Sequence, residues 1–303
     1  MRLTPLYTFL LPAFIWQSCQ TRSANPTAPS FANLATTPDE FAAYWYGGKA
    51  EIAAYDLNIV RYGENRRGDA VMIFVTEDFS ASRQVKLDHP EEAGNDRAPV
   101  MKLNSVWKFK TGIYDYSLMS SLFTPIDIAQ YPHSLKLNFS VQDWCGQAYT
   151  QLNREKNAYL VRQYSYFETE GDQSFKAKPD MLEDELFTRI RINPASIAQG
   201  EADLIPGGFF TRLSHEAIKP KRARIQFLES EATTQCLVEY LHLDRTLRIH
   251  FETAFPHRII SWSEEENQRV TVSGKLRNTL KSAYWTENAN EFRPLRDSLE
   301  LTY

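Results

Sequence analysis

Met101-Lys102-Leu103-Asn104-Ser105-Val106-Trp107-Lys108-Phe109 is the stretch that decides the fold. Met101, Leu103, Trp107 and Phe109 alternate with Lys102, Asn104, Lys108 and the following Lys110. A period of two sends successive side chains to opposite faces of a strand, one fit for a core and the other for water. Leu135, Leu137, Phe139 and Val141 repeat the pattern against Lys136, Asn138, Ser140 and Gln142. Similar runs occur at 50–62, 69–76, 112–123, 148–152, 159–168, 222–229, 234–242, 247–253, 258–264 and 270–280, and 70–75 is apolar throughout, as a central strand would be. Turn-forming residues at 63–68, 243–246 and 254–257 join neighbours as hairpins. The expected fold is mainly β, an antiparallel meander forming a strongly curved sheet or partly open barrel.

Two helices accompany it. Thr37-Pro38-Asp39-Glu40 supplies an N-cap, a proline at the first helical position and a glutamate that closes a capping box, ahead of Phe41, Tyr44 and Trp45 on one face. Asp180 is placed to cap a second helix over 180–191, in which Glu183 sits three residues on and Leu182, Leu186 and Ile190 form a stripe. Gly and Pro clusters at 171–179 and 193–208 mark the boundary between two β-rich halves, 38–171 and 180–303. No repeat of fixed period is present, which argues against a propeller or solenoid.

The first residues carry an address. Arg2 is followed by a mostly apolar run at 3–16 and then Gln17-Ser18-Cys19. That order predicts a signal peptide over 1–18, with lipidation of the Cys19 thiol, as in exported bacterial lipoproteins. A transmembrane anchor would need about 20 apolar residues, and this run is shorter and broken by Thr4, Thr8 and Pro12. Trp16 and Gln17 depart from the usual lipoprotein box, so ordinary secretion and an uncleaved helix stand as alternatives. Gln20, rather than Asp, after the cysteine fits passage to the outer membrane. Residues 19–37 are poor in large aliphatics and read as the lipidated cysteine with a flexible tether. The expected location is the cell envelope, with the membrane held through the N-terminal lipid.

A net charge of −4 gives no electrostatic reason to expect nucleic acid as a partner. Fifteen Tyr, eighteen Phe and six Trp suit a sheet core, and also carbohydrate or lipid contacts. With Cys19 assigned to lipid, Cys145 and Cys236 remain as a candidate disulfide pair, or as two free thiols. No Cys-x-x-Cys or His-x-x-x-His spacing offers a metal site, and no cofactor is implied.

Candidate chemistry is sparse. Ser105-Val106-Trp107-Lys108 followed by Lys110-Thr111-Gly112 matches two strings of penicillin-binding proteins and β-lactamases. That chemistry needs the serine at a helix start and the triplet on a distant strand, whereas both lie here on one extended segment. His242, His250 and His257 read as the polar face of a hairpin rather than a metal or base cluster. The runs 183–185 and 264–266 are acidic, but consecutive carboxylates diverge and cannot face each other across a glycosidic bond. Lys219, Lys221, Arg222 and Arg224 form the one concentrated basic run, either an anionic-surface contact or a charged loop entering a strand. The segment 143–147, Asp-Trp-Cys-Gly-Gln, reads as a turn burying an aromatic with a cysteine, or as part of a pocket wall.

Several stretches together resemble a known group: 40–51 (EFAAYWYGGKAE), 71–78 (VMIFVTED), Lys102-Leu103-Asn104, 111–116 (TGIYDY), Trp144-Cys145-Gly146 and 191–194 (RINP). Over most of its mature length the chain resembles an uncharacterised family of envelope lipoproteins from Bacteroidota, some members of which are labelled septum formation inhibitor Maf. The resemblance implies an envelope location and carries no defined activity. The label does not fit these residues. Maf proteins are cytosolic α/β nucleotide pyrophosphatases with a Ser-x-Ser-Pro-Arg-Arg string, whereas Arg66-Arg67 here follows Glu64-Asn65.

The sequence therefore points to a lipid-anchored envelope protein of binding or structural type, carrying or sensing an apolar small molecule or meeting an envelope protein partner. A hydrolase of glycan or peptide, with carboxylates brought together from separate strands, is the alternative from another class.

Overall fold

In a computed structural model, which describes Met1 and residues 34–302, the alternating segments join one fifteen-stranded sheet. One arm runs β1 (Ala50–Arg61), β2 (Glu64–Ser80), β3 (Arg97–Thr111), β4 (Tyr114–Pro125), β5 (Lys136–Gln142), β6 (Gln147–Arg154), β7 (Tyr159–Ser165) and β8 (Gln173–Ala177). The other runs β9 (Met181–Leu182), β10 (Gly200–Ile205), β11 (Lys221–Glu229), β12 (Thr233–Tyr240), β13 (Arg245–Glu252), β14 (Ile259–Glu266) and β15 (Arg269–Ser282). Within each arm, neighbours in the chain pair antiparallel, apart from the parallel contact of β9 with β10. The last strand returns to pair with the first, Ala50 opposite Ser282. The two β-rich halves expected from the sequence are thus the arms of one sheet, within the single compact unit Phe31–Tyr303.

The sheet does not close; its ends are β8 and β9. It does curl. Trp107 on β3 and Trp262 on β14 are four strand intervals apart, about 19 Å in a flat sheet at the usual spacing. Their rings stack with centroids 5.9 Å apart. Such a contact requires the inner faces of the two arms to turn toward each other. Gly274, the cross-strand partner of Trp262, makes room for the indole: a Cβ there would lie 2.1 Å from the ring.

Among the described residues four α-helices accompany the sheet: α1 (Pro38–Trp45), α2 (Glu185–Ile192), α3 (Gly208–Leu213) and α4 (Pro294–Ser298). The Thr37–Glu40 capping box forms as expected, and α1 buries Phe41 and Trp45. Helix α2 starts at Glu185 rather than Asp180, because Met181 and Leu182 pair with Leu204 and Ile205 as β9. Asp180 lies near Lys178 instead of capping. Every α2 residue except Phe187 is buried, and its partners come from both arms, Thr124 on β4 and Trp262 on β14 among them. The helix expected between the two boundary stretches therefore supplies the plug that fills the roll.

The loop expected at 63–68 is only the turn Tyr62-Gly63, at φ 55° and 76°, a two-residue connection whose twist suits a hairpin. Residues 64–68 continue β2. The short strands β8, β9 and β10 were not anticipated. Apart from Met1, the signal peptide at 1–18, Cys19 and most of the 19–37 tether lie outside the described residues.

Candidate functional site

A groove of about 810 Å³ opens beside the free edge of the first arm. One wall is β8 with the end of β7; the other is α3 and the segment 214–220 that leads into β11. Its inner end is Phe139 of β5, on which α3 packs so closely that a Cβ on Gly208 would lie 2.5 Å from the ring. Phe139, Phe175, Ala177 and Ile218 give the groove an apolar lining, and Lys176, Lys178, Arg212 and Lys219 give it cationic groups.

At the polar side Glu170 collects three donors. Ser165 Oγ donates to its Oε2 at 2.6 Å, Arg212 Nη1 to Oε1 at 3.2 Å, and His215 Nδ1 lies 2.5 Å from the same Oε1. Burial would raise the Glu170 carboxyl, but hydrogen bonds from Ser165 and His215 and the Arg212 charge outweigh it, so its pKa is lowered. Arg212 also lies over the Phe167 ring, 4.5 Å from its centroid, and its buried Nε has no acceptor among the described residues.

His215 follows the cap of α3 with φ at 54°. Glu216 N donates to Thr211 O at 2.9 Å, the six-to-one bond of a helix end that glycine usually completes. A histidine here accepts a backbone conformation costing on the order of 1 kcal/mol and delivers its ring to Glu170. Nothing in the sequence marks this residue, since it falls between the 193–208 boundary stretch and the strand at 222–229, and its partner is 45 residues away.

A second polar cluster lies inside the roll. Arg245 bridges two carboxylates, its Nη2 lying 2.8 Å from both Glu183 Oε1 and Glu264 Oε2, and Glu183 also accepts from the Tyr240 hydroxyl. The acids converge from separate elements, as a glycosidase would require, yet both are held by one guanidinium. The adjoining cavity, lined by Trp107, Trp262 and Asp184 among others, is about 50 Å³, enough for a few waters and too small for a sugar ring. Consecutive acids do diverge: Asp184 accepts from Gly208 N, and Glu185 from Ser134 N. Likewise Glu265 turns outward to Arg248 while Glu264 points inward.

The other nominated residues scatter. Ser105 is buried at the small cavity whereas Lys108 is exposed on the opposite face of β3, so the Ser-x-x-Lys string is not a site. His242 is exposed beyond β12, His250 sits on β13, and buried His257 contacts Thr36 Oγ1 at 3.1 Å. In the basic run Lys221 pairs with Glu216, and Arg222 and Arg224 with Glu201, which favours a charged loop entering a strand for those three. Lys219 alone of the four shows no carboxylate partner among the described residues, and it lines the groove.

The Cys145–Cys236 disulfide is not formed: Cys145 is exposed on the β5–β6 turn, whereas Cys236 is buried on β12. Nor does the 143–147 turn bury its aromatic, since Trp144 is exposed and Asp143 Oδ1 organises the tip by accepting from Cys145 N at 2.6 Å. Among the described residues, His89, Glu91 and Glu92 are the group whose metal-ligating atoms converge, within 4.8 Å, and all three are exposed.

No family model matches the chain, and no curated protein matches it. Among solved structures it is similar to the crystal structure of a beta-barrel-like protein of domain of unknown function DUF1849 from Brucella abortus. That similarity has a TM-score of 0.47 at 10% identity and covers 77% of this chain and 98% of the other.

Proposed function

We propose that the chain is a lipid-anchored cell-envelope protein of binding type that holds a small apolar or amphiphilic molecule in the groove beside β8. The observation that carries this reading is the groove itself, whose volume of about 810 Å³ lies within the range of small-molecule sites. Its apolar lining continues to Phe139, whose ring is largely covered by α3, so a ligand's apolar part would rest mainly on Phe175 and the uncovered edges of Phe139 and Ile218. The roll's interior is filled by α2 and aromatic rings, which leaves the seam as the place for a guest.

Anchoring rests on the leader and Cys19, and Gln20 directs the protein to the outer membrane. Native mass spectrometry of the full chain extracted from its own membranes tests the binding role. A retained small-molecule mass is expected, and a bare protein mass under gentle extraction would refute it. Labelling with an alkyne fatty acid tests the anchor, which a Cys19→Ala variant must lose.

The free edge of β8 favours a second reading, in which a strand of an envelope protein partner extends the sheet.

A further inference from the structure

We infer that the groove's ligand is an envelope lipid with a single acidic headgroup, phosphate or carboxylate, recognised by Arg212, His215 and Lys219 while Phe139, Phe175 and Ile218 take its apolar part. This rests on the groove being the ligand site.

Charge complementarity carries it. The groove's carboxylates are already committed: Glu216 is paired with Lys221 at 2.5 Å, and Glu170 Oε1 is shared by Arg212 and His215. Of the cations, Lys176 is paired with Glu155 at 2.7 Å, and the others are less fully used. Arg212 contacts Glu170 through Nη1, leaving a buried Nε without an acceptor among the described residues. An unsatisfied buried donor is costly, and a guanidinium has five donors to fill. Lys219 is exposed with no carboxylate partner among the described residues, and Lys178 is held only loosely, 3.6 and 3.7 Å from its acids. In a chain of net charge −4, this groove is lined by four Lys and Arg side chains against two carboxylates, Glu170 and Glu216, with Lys219 left without a carboxylate partner among the described residues. A neutral guest offers these groups neither an acceptor nor an opposing charge, whereas an anionic headgroup supplies both together.

His215 sharpens the argument. Its position closes a helix end in a conformation that glycine adopts freely, so the side chain, not the backbone, accounts for a histidine there. Held through Nδ1 by Glu170, its ring is fixed in the groove wall with Nε2 left for a headgroup.

The test uses the full, delipidated chain and four probes: a pyrene-labelled fatty acid, a pyrene-labelled lysophosphatidic acid, the methyl ester of the same fatty acid, and inorganic phosphate. At least one acidic amphiphile is expected to bind tenfold or more tighter than the ester, with phosphate alone not binding. Arg212→Met and Lys219→Met should each weaken the acid about tenfold and leave the ester unchanged. His215→Gly should weaken it with no loss of melting temperature, which separates recognition from folding. Equal binding of acid and ester would overturn the headgroup inference and leave the groove reading intact. Phosphate binding as tightly as the acidic amphiphiles would overturn the lipid source. Failure of all amphiphiles would remove the groove reading itself.

Discussion

Arg191 on α2 and Glu51 on β1, 140 residues apart in the chain, are joined by two hydrogen bonds of 2.5 and 2.7 Å with neither side chain reaching solvent. The guanidinium also lies 4.8 Å from the Phe74 ring centroid and 5.0 Å from that of Trp45, and its Nε donates to Pro256 O. Glu51 accepts in addition from the Tyr44 hydroxyl. The plug helix is thereby fixed to the strand where the two arms meet. Such a pair gives little net stability over an apolar replacement, but breaking it strands a buried charge.

Arg191→Met is expected to lower unfolding free energy by about 3–5 kcal/mol in urea titrations. The double variant Glu51→Gln, Arg191→Met should recover part of that loss. A single-variant loss below about 1 kcal/mol would show that Glu51 finds other compensation.

Asp184 supplies a pH dependence. Although part of the residue reaches the surface, its carboxyl is enclosed, and burial first, then the Glu183 charge, pushes its pKa up to about 7. The folded state therefore keeps a proton that the unfolded state releases near pH 4. The resulting stability is full below that value and declines by about 1.4 kcal/mol per pH unit up to about 7. Asp184→Asn has no such proton to lose. Its stability relative to wild type should rise across that interval in parallel denaturations and level off above it; a constant difference would contradict the assignment.

Gly274 tests the curl. Any side chain there meets the Trp262 indole, so Gly274→Val should displace the ring from Trp107 and cost about 1–3 kcal/mol. Near-UV circular dichroism and melting would report the shift. An unchanged spectrum and stability would mean that the two arms do not pack as described.

The cysteines give a simple chemical check. Cys145 should react with a thiol reagent in the native protein, and Cys236, whose thiol burial pushes far up, only after unfolding. Finding neither reactive without reductant would indicate a disulfide.

Much of the sheet was legible because its strands alternate. Met101 to Phe109 and Leu135 to Gln142 each bury one face, and a period of two records that directly. The strands β8 and β10 are short, polar and near an edge, so no such signal marks them. Helix α2 was visible from its apolar stripe, but its start was misplaced because Met181 and Leu182 are claimed by Leu204 and Ile205. Nothing local announces that competition. The groove was illegible for the same reason: Glu170, Arg212 and His215 meet only once β7 and α3 face each other. A single sequence shows neither the left-handed backbone of His215 nor its distant carboxylate. Lys219 alone among the groove's cations was singled out beforehand, by the basic run it begins.

The most direct test of the groove as a ligand site is photo-crosslinking in the native envelope. With p-benzoylphenylalanine in place of Phe175, illumination should give a covalent adduct of lipid-like mass on intact-protein mass spectrometry. The same group in place of Ile113, exposed on the β3–β4 turn, should give none. No adduct at 175, or equal adducts at both positions, would contradict the account.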